Sequence, residues 1–203
     1  VKQVETLEKL KNHIEAFNPA RSINIPEDQK EVFRDLHLLT SKPVLYVANV
    51  KEDEVNSGNE HVNKLKNSIE GENAELILIS AKIEAEIAEI TDEEERKDYL
   101  AMYDLEEPGV NKLIRASYKL LDLITYFTAG EKEVRAWPVK RGAMAPEAAG
   151  VIHSDFQKGF IKAEVIGFDD YVEAGSESSA RDKGKLRIEG KEYEVKDGDV
   201  MHF

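Results

Sequence analysis

A chain of 203 residues with 41% hydrophobic residues and no cysteine has enough apolar mass for one large core or two small ones, and it excludes disulfide frameworks and thiolate metal sites. Its formal charge of −13, from 28 basic and 41 acidic side chains, makes it a poor general nucleic-acid binder, because phosphate contact needs local positive charge. No apolar run approaches the roughly 18 residues of a membrane span. The expectation, separate from that, is a monomeric, cytoplasmic protein with no membrane partner and no DNA specificity.

The charge is uneven. Residues 1–122 carry 16 basic and 26 acidic groups, residues 123–203 carry 12 and 15, and within 131–162 bases outnumber acids six to four. A near-neutral module on an acidic body is compatible with one specific RNA-rich partner.

Taken in order, Val4, Leu7, Leu10, Ile14 and Phe17 form one helical stripe that Pro19 ends. The first residue is Val1 rather than Met and the pattern is already running there, so the natural helix is expected to begin earlier. After a turn-rich link at 18–26, Glu27 to Leu39 reads as a second helix with Val32, Phe33, Leu36 and Leu39 inward. Together they predict an αα-hairpin. His13 and His37 read as surface or packing residues.

Val44 to Ala48 is a near-continuous apolar run, the signature of a parallel strand covered on both faces. A helix over 60–70, ending near Gly71, leads to a second buried strand at 74–79. Strand, helix, strand is a βαβ unit with parallel strands. Both strands run into polar loops on one edge of the sheet, Asn49-Val50-Lys51-Glu52 and Ser80-Ala81-Lys82, where ligands bind in open α/β sheets. Two parallel strands are too few for a stable sheet, so further strands are expected before Val1.

Residues 83–103 carry helical spacing and strong acidity. Thr91 is expected as an N-cap, with Asp92 to Glu95 as a solvated face that complements the helix dipole. Pro108 to Leu123 predicts an amphipathic helix with Val110, Leu113, Ile114, Tyr118, Leu121 and Ile124 facing the sheet.

The texture then changes to short strands: Tyr126 to Thr128, a turn at Ala129-Gly130-Glu131, then Val134 to Val139. A short helix begins at Pro146, and Phe160 to Val165 follows as a strand. Residues 169–183 read as a helical or mobile excursion. Leu186 to Ile188, Tyr193 to Val195 and Val200 to Phe203 complete the set, and the chain stops in mid-strand. An antiparallel sheet crossed by one helix in about 80 residues suggests a ubiquitin-like β-grasp module.

The chemistry sits in the two strand-end loops. A guanine-reading loop has the form Asn-Lys-x-Asp, its Asp accepting two hydrogen bonds from the base edge, with Ser-Ala-Lys after the next strand. Here Val50 stands in place of the Lys and Glu52 in place of the shorter Asp, and both changes weaken guanine selection. Asn-x-x-Glu alone is also what a capped helix entry looks like; its pairing with Ser80-Ala81-Lys82 carries the functional reading. No Gly-x-x-x-x-Gly-Lys-Ser/Thr phosphate loop occurs. In the last 80 residues Lys140, Arg141, Lys158 and Lys162 are candidates for RNA contact. A solvated basic edge that discourages strand pairing is the competing reading. Trp137 reads as core, and His153-Ser154-Asp155 lacks the geometry of a nucleophile.

Lys42 to Glu52, Ile79 to Ile87, Gly109 to Ile114, Thr125 to Gly130, Ala148 to Val165 and Asp197 to Phe203 together resemble the YchF subfamily of Obg-related P-loop NTPases. The resemblance covers essentially the whole chain. It implies the second part of a helical insertion (1–41), the C-terminal part of an α/β NTPase domain with an incomplete parallel sheet (42–123), and an α+β TGS domain of β-grasp form (124–203). It implies ATP preferred over GTP, hydrolysed with Mg²⁺ to ADP and phosphate in the full-length protein, and association with the large ribosomal subunit or ribosomal RNA. Carried over residue by residue, Asn49, Val50 (main chain) and Glu52 contact the base, and Ser80, Ala81 and Lys82 support it. The family's phosphate loop, Mg²⁺ ligand and hydrolytic residues are expected before Val1, leaving this chain inactive alone with no metal bound. The alternative is a non-catalytic module that binds RNA or ribosomes through its TGS part.

Overall fold

The structure, a computed structural model, describes residues 2–72, 74–130 and 133–203. It is a mixed α/β chain of two compact units, Val1–Leu120 and Leu121–Phe203. The expectations for Val1 and for the turn residue Glu131 lie outside the described residues.

In the first unit, α1 (Lys2–Glu15) follows the predicted stripe but buries only Leu10 fully. Phe17 does not continue the stripe: its φ of 62° ends the helix and leaves its ring 97% exposed. His13 is a packing residue, its Nε2 lying 2.8 Å from Ser22 Oγ. The long second helix expected at 27–39 is not formed. Instead a 3₁₀ turn at Glu27–Gln29 leads into a short α2 (Lys30–Asp35), His37 takes a left-handed φ of 47°, and another 3₁₀ turn follows at Leu39–Ser41. Segment α2 buries no side chain fully, Val32 and Phe33 being half-buried, and with so little packing a helix that short has little to extend it.

The βαβ unit is present. Strand β1 (Leu45–Asn49) pairs in parallel with β2 (Glu75–Ile79), Leu45 opposite Glu75 and Asn49 opposite Ile79, and α3 (Glu60–Ser68) connects them. Asn59 caps α3 by accepting the Val62 N–H at 3.0 Å. The strands are not covered on both faces as their apolar runs predict. Every residue of β2 is half-buried and Val47 is 42% exposed, because only two strands share the sheet.

The acidic stretch forms two helices, α4 (Ala81–Glu89) and α5 (Glu93–Met102), broken where Ile90 becomes extended. The N-cap of α5 is Asp92 rather than Thr91: its Oδ1 accepts the N–H groups of Glu94 and Glu95 at 3.0 and 2.9 Å. A carboxylate is favoured there because it also meets the positive end of the helix dipole. Ile83, Ile87, Leu100 and Leu105 make the buried cluster of this unit. Helix α6 (Gly109–Leu120) packs on β2. Its stripe is only partly inward, since Val110 and Ile114 are about half exposed, and Ile124 belongs to a strand of the second unit.

That unit is a five-stranded sheet. Strand β3 (Leu123–Ala129) pairs antiparallel with β4 (Val134–Lys140). Two short helices follow, α7 (Ala145–Ile152) and α8 (Ser154–Lys158), then β5 (Ala163–Gly167). Residues 168–182 form α9 (Phe168–Ala174) and α10 (Glu177–Asp182), so the excursion is helical. Strands β6 (Arg187–Glu189) and β7 (Asp199–His202) complete the order β4-β3-β7-β5-β6, with β7 parallel to β3. The strand expected at 160–165 starts three residues later. Tyr193–Val195 is not a strand but a single bridge, Met144 opposite Glu194.

The core is tight because α7 presents Ala145, Ala148 and Ala149 to the sheet, small enough to let Tyr126, Val165 and Met201 pack against them. The Tyr126 hydroxyl donates to Ala148 O at 2.8 Å, and burial pushes its ionisation well up. Trp137 packs on this core from one side, with Arg135 over its ring and its Nε1–H donating to Thr128 Oγ1.

Candidate functional site

Parallel pairing in register brings β1 and β2 to an end side by side, and the first residue after each is buried: Val50 and Ser80. Val50 N–H donates to Ile79 O at 2.9 Å, so the two loops leave the sheet locked together. Asn49 then reaches across, its Oδ1 accepting the Ala81 N–H at 3.0 Å. Because Ser80 is the N-cap of α4 and makes no side-chain cap bond, this Asn49 carboxamide satisfies one of the unpaired N–H groups that begin any helix.

Three residues beyond Asn49 and one beyond Ala81, the Glu52 carboxylate meets the Lys82 ammonium. That hydrogen bond holds Glu52 below the ordinary carboxylate range and raises Lys82. Glu86, one turn along α4, also approaches Lys82 at 3.9 Å. All six predicted base-side residues, Asn49, Val50, Glu52, Ser80, Ala81 and Lys82, thus lie at one edge of the sheet. Asn49, Val50, Glu52, Ser80 and Lys82 line a common hollow of about 420 Å³ with Lys51, Glu54 and Asn59.

Three supporting residues have weak sequence signals. Glu54 accepts the Lys51 N–H and, at 2.8 Å, the Asn59 amide, which holds its carboxyl below the usual range and ties the loop to the start of α3. The Lys51 to Glu54 spacing is a capping-box spacing, which could have pointed to it. Glu84 caps α6 across the fold, accepting the N–H groups of Gly109 and Val110 at 2.7 and 3.1 Å. Gly109 is required for that approach: a Cβ there would lie 2.8 Å from Glu84 Oε1 and 2.9 Å from Ile79 Cγ2. Nothing in linear spacing announces this contact, because 25 residues separate the partners.

A larger hollow in the same unit, about 1260 Å³, lies between segment 20–43 and the α3–β2 connection. It contains none of the strand-end residues. The Arg21–Glu72 ion pair, joined by the Tyr46 hydroxyl, lies at its wall.

The four basic candidates do not converge. Antiparallel pairing sets Lys140 opposite Leu123, at the start of β3. Glu164 of β5 pairs with His202, and Phe127 of β3 with Val200, so Lys162 enters the sheet at the opposite end, three strands away. That is about 14 Å across the strands alone. Three of the four are also engaged within the chain: Lys140 with Leu121 O, Arg141 with Asp122 at 3.3 Å and Lys162 with Glu164 at 2.7 Å. Among the described residues no three His, Asp or Glu side chains gather to hold a metal.

The family described as "YchF-GTPase_C: Protein of unknown function (DUF933)" matches residues 123–203. "Ribosome-binding ATPase YchF" of Bacillus subtilis (strain 168) is 54% identical over 203 residues, covering 99% of this chain and 55% of that protein. The protein of the same name from Escherichia coli O157:H7 is 46% identical over 201 residues, again 99% and 55%. Among solved structures, the Schizosaccharomyces pombe YchF GTPase superposes with a TM-score of 0.81 at 35% identity, over 96% of this chain and 52% of that one. The chain thus spans about half the length of the relatives it matches.

Proposed function

This chain belongs to the YchF family of Obg-like NTPases, and on that premise we propose that its β1 and β2 loops form the base-recognition side of an adenine-nucleotide site in a ribosome-associated ATPase. In the whole protein that site takes ATP with Mg²⁺ in preference to GTP and hydrolyses it to ADP and phosphate. Residues outside this chain hold the phosphates and the ion and perform the hydrolysis.

The observation that carries the reading is the convergence of two loops from parallel strands, joined by Asn49 Oδ1 to Ala81 N–H and by Glu52 to Lys82. Asn49, Val50 and Glu52 would face the base edge, and Ser80, Ala81 and Lys82 set the loop against it. Water is kept from the base of the hollow by Val50 and Ser80, which are buried behind it. Glu52→Asp with Val50→Lys restores a guanine-type loop. In the whole protein the double variant should lower the ATP-to-GTP turnover ratio, and an unchanged ratio removes the base-reading role.

A second reading rests on the second unit having its own buried core. In it, residues 124–203 are a TGS module of β-grasp form that contacts ribosomal RNA or protein. Since the basic candidates lie at two ends of the sheet, the two pairs are tested apart. Co-sedimentation of the chain with ribosomes should weaken when Lys158 and Lys162, or Lys140 and Arg141, are changed to Glu. Retention by both variants excludes these residues as the contact.

A further inference from the structure

We infer that Lys82 is the specificity-determining residue of the nucleotide site, because it holds the Glu52 carboxylate, the group placed to read a guanine edge. The inference rests on the reading that these loops receive a base. It adds how the wrong base is refused.

A guanine edge presents two donors, N1–H and the exocyclic amine, beside one acceptor, O6. To bind it a loop needs a free carboxylate and a free N–H. Both groups exist in this loop pair and both are occupied from within. The Glu52 carboxylate is held by the Lys82 ammonium. The Ala81 N–H is held by Asn49 Oδ1 at 3.0 Å. Guanine would have to displace one partner from each before it gained a bond, whereas adenine carries no paired donors that require a carboxylate.

The arrangement is anchored on both sides. Lys82 stands in the first turn of α4, where Glu86 at i+4 gives its ammonium a second carboxylate. Glu52 begins the 3₁₀ turn Glu52–Glu54, which Glu54 pins to Lys51 N–H and to the Asn59 amide. Glu52 is therefore presented to Lys82 by a turn that is itself fastened to the start of α3. The longer side chain, which at first sight is only a poor substitute for Asp, is what lets the carboxylate span from one loop to the other. Its depressed ionisation, caused first by the Lys82 hydrogen bond, agrees with that geometry.

Lys82 is thus a positioning residue that acts through Glu52. Removing the ammonium should free the carboxylate for guanine. The test is the affinity of the whole protein for ATP and for GTP, measured by displacement of a fluorescent nucleotide, in Lys82→Met and Lys82→Arg. The Met variant keeps the stem, and Lys82 is 65% exposed, so folding is not at stake. A partly exposed ion pair of this kind supports a gain of about two- to fivefold in GTP affinity, with ATP affinity changed by less than that. Lys82→Arg should retain the parent ratio. If Lys82→Met still binds ATP and its ratio stays at the parent value, the role of Lys82 is overturned while the base-reading site stands. If amide exchange at Ser80–Lys82 is the same with and without ATP, the site itself is wrong and the inference falls with it.

Discussion

The β1–β2 pair and the five-stranded sheet of the second unit bury their apolar residues to very different depths. In the five-stranded sheet Tyr126, Val165 and Met201 are shut off from solvent, and the small face of α7 closes over them. In β1 and β2 the runs Leu45 to Ala48 and Leu76 to Ile79 are just as apolar, yet no residue of either strand is fully buried. What fixes the first unit's loops is polar and directional: Asn49 to Ala81, Glu52 to Lys82, Asn59 to Glu54 and Glu84 to the start of α6. Packing holds the second unit, while hydrogen bonds aim the first. Such bonds are individually weak, so they can position a loop that must still admit a ligand.

The largest effects should therefore fall in the second unit. Met201→Ala removes a fully buried side chain and should cost about 2–5 kcal/mol, whereas Val47→Ala, at a half-exposed strand position, should cost about 1 kcal/mol or less. Trp137 is the only tryptophan and belongs to the second unit, so its fluorescence during denaturant unfolding reports Met201→Ala directly, and far-UV circular dichroism reports both. Equal costs for the two substitutions would remove the distinction drawn between the sheets.

Polar positions come next. Gly109→Ala forces a Cβ against Glu84 Oε1 and Ile79 Cγ2, so it should cost about 1–3 kcal/mol through overpacking and loss of the cap. Glu84→Ala, which removes the cap without the clash, should cost about 0.5–2 kcal/mol. The difference in unfolding midpoint between the two measures the steric part. Asp92→Ala should cost about 1 kcal/mol and Thr91→Ala much less, read from the same curves. A larger loss at Thr91 would restore it as the cap.

The parallel βαβ order, the strand-end loops and most second-unit strands were legible because periodicity and turn residues are local signals. The α2 segment was not. Its apolar residues have helical spacing, but a pattern promises a helix only if something packs on it, and in α2 no side chain is more than half-buried. The false strand at Tyr193–Val195 has alternation, yet its hydrogen-bonding groups are claimed outside the sheet: the Tyr193 hydroxyl donates to the buried Asp199 at 2.7 Å, and the backbone N–H of Val195 donates to Ala143 O. At the site, residue types and spacing located the loops. The pairing of Glu52 with Lys82 spans 30 residues, and only the register of β1 on β2 brings the two together. Sheet order likewise separates Lys140 from Lys162, which composition alone had grouped.

The smallest expected effect compares one carboxylate from each unit. Glu52 and Glu164 are both held below the ordinary value of 4.5, in each case first by a lysine hydrogen bond, from Lys82 and from Lys162. A depressed carboxylate contributes its stabilisation above the ordinary range and loses it as pH falls through the lowered value. Both contacts should therefore be intact at neutral pH and open only in acid. They differ in their reserves. Glu164 also accepts from Arg181 at 2.8 Å, whereas Glu52 relies on Lys82 for its principal side-chain partner. Carboxylate titration by NMR should show Glu52 rising in Lys82→Met, with the part of its depression that comes from a backbone N–H and from Lys51 remaining, while Glu164 stays depressed in Lys162→Met because Arg181 remains. If Glu52 does not rise in Lys82→Met, Lys82 is not what keeps its carboxylate from a base. A pair that one substitution releases is one that a nucleotide can perturb, so added ATP should move the Glu52 resonance and leave that of Glu164 in place.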